Sequence, residues 1–187
     1  MRATQERGWT HIERLVVMVI VGVITLSVTA LFVSGSSAEL DMNYRIQAQL
    51  NARLALDKVR REVHCASFAT PTGQTSSVTI TLPSYCKTGS GSVTWCTRSN
   101  SVGSYTLYRV AGASCTGGVK WADFLVASSS APTCGTPTAL CIFNYSAQST
   151  TSLAKLGVDF PVNTAQRKPV DTYELKDDIF LRNSTRS

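Results

Sequence analysis

The sequence predicts an α+β fold: one long N-terminal helix, membrane-length in its first half and amphipathic in its second, laid on an antiparallel sheet and stapled by disulfides. Three observations predict it. Leu15 to Val33 is a run of nineteen residues without a charge, spanning ~28 Å as a helix, about one hydrocarbon core. Glu39 to His64, ELDMNYRIQAQLNARLALDKVRREVH, has no Gly or Pro and places Ala52, Leu56, Val59 and Val63 on one side, the period of a helix packed by one face. Beyond Cys65 the chain turns to Ser, Thr, Gly and short apolar stretches, which favour strands and turns.

In chain order, the leader MRATQERG is short and polar, with Arg2 and Arg7 against Glu6, so this end is expected on the cytoplasmic side and everything after Val33 outside. Ser36 and Glu39 have capping-box spacing, and Gly35 precedes them, so a bend or restart of the helix is expected there. The pattern from residue 10 to 64 otherwise supports one helix of ~80 Å. Ile46, Leu50 and Leu54 are read as widening its apolar face, and the oppositely charged pairs Asp57/Arg61 and Lys58/Glu62, four apart, as an exposed opposite face.

The expected strands are residues 77–82, 92–98, 104–110, 139–145, 152–160 and 178–183. The second and third flank the polar loop SNSVG and should pair antiparallel. WADFLV (121–126) fits a strand or a short helix, and 128–138 and 163–178 read as loops by their Pro, Ser, Thr and charge content. Once one membrane segment is subtracted, 187 residues leave enough chain for a single extracytoplasmic domain.

All six cysteines, Cys65, Cys86, Cys96, Cys115, Cys134 and Cys141, follow the apolar run, which points to an oxidising compartment and disulfides. No C-x-x-C pair exists to favour zinc, and six thiols leave 15 connectivities open. Net charge is +6, and the part after Ala38 carries 15 basic against 10 acidic residues without a polybasic block. The two histidines, His11 and His64, stand at the membrane edge and at a helix end, where His64 is expected to meet the last helical carbonyls. No base and nucleophile pair and no phosphate loop occurs, GASCTGG (112–118) lacking the Lys of one. The chain therefore does not read as an enzyme and calls for no cofactor.

Gly8, the aromatic Trp9, Thr10, Ile12 and Glu13 ahead of the apolar helix resemble the class III signal of bacterial type IV pilins and type II secretion pseudopilins. The ending, SLAKLGVDFPVN through DIFLRN, is similar to larger minor pilins and to J- or W-type pseudopilins. The resemblance implies a pilin-like fold divided as leader 1–8, membrane and filament-core helix 9–33, amphipathic helix 34–64 and β-rich domain 65–187. It implies cleavage between Gly8 and Trp9 by a prepilin peptidase, N-methylation of Trp9, and pairing of the Glu13 carboxylate with the new terminal amine, its own or a neighbour's. The partners implied are other filament subunits, the peptidase, an inner-membrane assembly platform and membrane lipid. The implied location is the cytoplasmic membrane, single-pass, and the periplasm or cell surface once assembled. His11 and Arg14 stand where family members carry apolar residues.

The resemblance leaves pilus, secretion and DNA-uptake machines open. The alternative to a filament subunit is a single-pass anchored binding domain, with Ser36-Ser37-Ala38 as a passable signal cleavage site. Asp171, Glu174, Asp177 and Asp178 are weak calcium candidates. Trp95, Tyr105, Tyr108 and Trp121, with Arg98, Arg109 and Lys120, form a candidate nucleic-acid or polysaccharide surface. The competing reading of those aromatics is a filled sheet-to-helix core.

Overall fold

The computed structural model describes residues 11–100, 103–134, 139–164 and 172–184. They fall into two compact units that divide between residues 43 and 44. Helix α1 (His11–Cys65) crosses the division. The capping-box signal at Ser36 does not restart it: the helix is continuous through Gly35, and Ser37 Oγ donates back to the Ser34 carbonyl at 2.9 Å. A single exposed glycine costs a helix only ~1 kcal/mol, too little to break it without a competing contact.

In the first unit the side chains from Ile12 to Val33 lie on the surface, and the apolar segment fits a single-pass membrane anchor. Its hydroxyls suit that environment. Thr25, Ser27 and Thr29 each donate to a carbonyl one turn back, at 2.7–2.9 Å, so these three hydroxyls are satisfied within the helix, as an apolar surrounding would require.

The second unit holds one core between α1 and a nine-stranded antiparallel sheet. Its strands are β1 (Phe68–Thr70), β2 (Gly73–Thr75), β3 (Ser77–Leu82), β4 (Gly91–Ser99), β5 (Tyr105–Ala111), β6 (Val119–Leu125), β7 (Phe143–Ser146), β8 (Lys155–Val162) and β9 (Tyr173–Phe180). They run in the order β1-β3-β4-β5-β6-β8-β7-β2, with β9 added to β8. β9 pairs along the whole of one edge of β8, while β7 and β6 divide the other edge between them. The β4–β5 hairpin has the antiparallel pairing expected from its loop, and WADFLV is strand.

Three strand expectations need correction. The predicted strand 139–145 is ordered as β7 only from Phe143; Leu140 makes an isolated bridge to Thr133. The last strand runs from Tyr173 to Phe180, not 178–183, and so takes residues read as loop. β1 and β2, on either side of Pro71, were not anticipated.

The helix presents Ala48, Ala52, Ala55, Leu56, Val59 and Val63 to the sheet, and the small residues among them let the backbones approach. Opposite them lie the fully buried Trp95, Leu107, Phe160 and Ile179, large side chains worth ~1.5–3 kcal/mol each on burial. β6 carries an irregular register against β5, where Phe124 adopts φ 60°, and the irregularity turns Asp123 toward Thr106 and the Phe124 N–H.

Candidate functional site

Glu13 lies in the first turn of α1, exposed, between exposed Ile12 and Arg14, and His11 opens the helix. Gly8 and Trp9 lie outside the described residues.

The sequence reading placed Ile46, Leu50 and Leu54 on the buried face. The structure overturns this: they are 43%, 52% and 61% exposed. Spaced four apart, they form a stripe on the side of α1 turned away from the sheet, because Ala48, Ala52, Ala55 and Val59 fill the sheet side.

The charged pairs also depart from expectation. Glu62, read as surface, is fully buried. It lies three residues after Val59, on the packed face. Its Oε2 accepts the Trp95 indole N–H at 2.9 Å, and its Oε1 accepts Arg109 Nε at 2.9 Å and Lys58 Nζ at 3.0 Å. Trp95 and Arg109 are direct cross-strand partners on β4 and β5, so the sheet register sets both donors side by side beneath one helical carboxylate. Asp57 pairs with Arg60 rather than Arg61, and Arg60 also holds Asp177 of β9 at 2.9 Å.

The end of the helix is tied to the sheet by several bonds. His64 Nδ1 lies 2.9 Å from the Phe180 carbonyl and donates to it, so it meets β9 and not the helix's own last turn. Asn183 Nδ2 donates to the Cys65 carbonyl at 2.9 Å. The cysteines pair as Cys65–Cys86, Cys96–Cys115 and Cys134–Cys141. The first joins the end of α1 to the β3–β4 connection, and the second pins the turn 112–118 over β4.

The other candidates are dispersed. Strand alternation sets Asp177 on the face of β9 toward Arg60 and leaves Glu174 and Asp178 on the other, where Glu174 holds Lys176 at 2.8 Å and Asp178 holds Lys155 at 3.0 Å. The Lys176 ammonium is the main reason the Glu174 carboxyl is held below its ordinary range. Asp171 lies outside the described residues. Of the proposed aromatic surface, Trp95 and Tyr105 are buried and Trp121 packs 5.9 Å from Trp95, as a filled core requires. Arg109 is committed to Glu62. Tyr108 carries Arg98 stacked on its ring at 3.4 Å, and Lys120 pairs with Asp123 at 2.9 Å.

Comparison with protein-family models, with curated proteins and with solved structures found no match to this chain.

Proposed function

We propose that the protein is a minor pilin or pseudopilin, cut after Gly8 by a prepilin peptidase and then assembled into, or priming or capping, a type IV pilus or type II secretion pseudopilus. The observation that carries the reading is the exposed stripe Ile46, Leu50 and Leu54. Lipid accounts for the exposed apolar side chains up to Val33, since nineteen residues already fill a hydrocarbon core. Ile46 comes thirteen residues later, too far along the chain to share that layer. A stripe of large apolar side chains on the water side of a membrane helix is supplied with cover by neighbouring helices of the same kind.

Glu13 fits the same scheme. Cleavage after Gly8 creates a cation near its depth, and in low dielectric a carboxylate is tolerable when paired and strongly disfavoured when alone. Pairing with a neighbour's amine would set the axial register between subunits.

Replacing Ile46, Leu50 and Leu54 together by Ser tests the proposal, with membrane and sheared-filament fractions assayed separately. The triple variant should accumulate in the membrane at the wild-type level and be lost from the filaments. Normal incorporation would remove the stripe from assembly, and a wild-type protein that never leaves the membrane fraction would favour the anchored, non-polymerising domain.

A further inference from the structure

Gly157 stands in the interior of β8, with Asn144 of β7 opposite on one side and Asp178 of β9 on the other. A strand interior disfavours glycine, and the backbone does not require one here, because Gly157 is not among the glycines with positive φ. The reason is space. A Cβ at this position would stand 3.2 Å from Asp178 Oδ1 and 3.5 Å from the Asn144 carbonyl. Gly157 lies in the wall of a hollow of about 480 Å³ on the face of the sheet, lined also by Gln74, Ser130, Asn144, Asp159, Lys176 and Asp178 among others.

One group in this hollow is incompletely satisfied. Asp159 has 15% of its side chain exposed; Oδ2 meets Lys176 Nζ only at 3.4 Å, and Oδ1 is buried with no hydrogen-bond partner. Lys176 makes its shorter contact, 2.8 Å, with Glu174, so it can leave Asp159 without losing its own partner. Rotation about the Cβ–Cγ bond, which is broad for Asp, turns either carboxylate oxygen to the hollow. Asn144 offers a side-chain carbonyl as a further acceptor. No group of three His, Cys, Asp or Glu able to hold a metal ion occurs among the described residues, so the geometry favours an organic donor over a divalent cation.

We propose that the hollow over Gly157 binds the cationic side chain, arginine or lysine, of a partner protein, with Asp159 as its counter-charge. A charge-assisted bond to Asp159 satisfies the unpartnered oxygen, and Lys176 remains with Glu174. The site does not depend on the filament reading, since it is built from strands of the folded domain and the connection between β6 and β7.

The test is titration of isotope-labelled full-length protein in detergent micelles with acetyl-arginine amide, acetyl-lysine amide and the neutral acetyl-citrulline amide, followed at the Gly157 and Asn144 backbone signals. The two cations should produce saturable shifts at these signals, and citrulline should bind at least tenfold more weakly. Asp159→Asn should weaken the cations at least tenfold. Gly157→Val, a strand-favouring residue whose side chain intrudes on the hollow beside Asp178 and Asn144, should abolish the shift at Asn144 while leaving the rest of the spectrum dispersed as in the wild type. Equal binding of citrulline, undiminished binding by Asp159→Asn, or calcium shifting these signals when the cations do not, would each overturn the proposal.

Discussion

Replacing Glu62 by Ala is the perturbation whose size the structure fixes most directly. The carboxylate is fully buried and accepts three donors at 2.9–3.0 Å, with Lys58 and Arg109 only 23% and 22% exposed. Truncation leaves a guanidinium largely enclosed without its counter-charge and a buried indole N–H without an acceptor. Removing one partner of a buried ion pair costs about 3–5 kcal/mol, and the orphaned Trp95 donor belongs to the same network, so its cost does not simply add. In a domain of this size that loss lowers the unfolding midpoint by roughly 10–15 °C. Glu62→Gln keeps an acceptor for Trp95 and should lose less than the alanine variant. The assay is chemical denaturation of the full chain in micelles, completed as a double-mutant cycle with Arg109→Ala. The cycle should return a coupling of at least ~1.5 kcal/mol, within the range for contacting groups. Glu62→Ala within 1 kcal/mol of the wild type (about a fivefold change in the folded-to-unfolded ratio), with no coupling to Arg109, would refute the claim that this carboxylate clamps helix to sheet.

Three other perturbations have definite expected outcomes. Burial pushes the Asp123 carboxyl up, but bonds from Lys120, Thr106 and the Phe124 N–H outweigh it and hold it below its ordinary range. Its contribution is therefore complete above about pH 4 and lost as pH falls through the lower folded value, and Asp123→Asn should make the acid limb of a stability-against-pH curve shallower. Cys65→Ala with Cys86→Ala opens a loop of sequence separation 21, and equilibrium unfolding should register a loss of about 3 kcal/mol. Gly118 has φ +89°, and a Cβ there would stand 2.5 Å from the Arg109 carbonyl. Gly118→Ala should thus cost at least ~2 kcal/mol by the same measurement, whereas Gly117→Ala, with φ +69° and open space, should cost about 1 kcal/mol.

Much of this fold is written in short-range pattern. The helix was legible because Ala52, Leu56, Val59 and Val63 repeat at helical spacing, and β3, β4 and β5 because alternation and a polar loop mark a hairpin. What the sequence hid depends on contacts from elsewhere in the chain. Glu62 reads as surface when paired with Lys58 alone; its position three residues after Val59 was the available signal, and only the adjacency of Trp95 and Arg109 across two strands makes a buried carboxylate tolerable there. β9 reads as a charged loop because Asp177 occupies an inward position, which Arg60 on the helix neutralises. Ile46, Leu50 and Leu54 were assigned inward because hydrophobic periodicity reports that a face is apolar, not what covers it. β1 and β2 are three residues each, shorter than any periodicity can mark. The site residues Gly8, Trp9 and Glu13 rest on a resemblance of the N-terminal segment.

Intact mass and N-terminal fragmentation of the protein extracted from the membranes of its host address the central claim most directly, because they read the covalent state that the proposed function entails. A chain beginning at N-methylated Trp9 is the predicted result. A chain that retains Met1, or one that begins at Glu39 after an ordinary signal cleavage, would contradict the account.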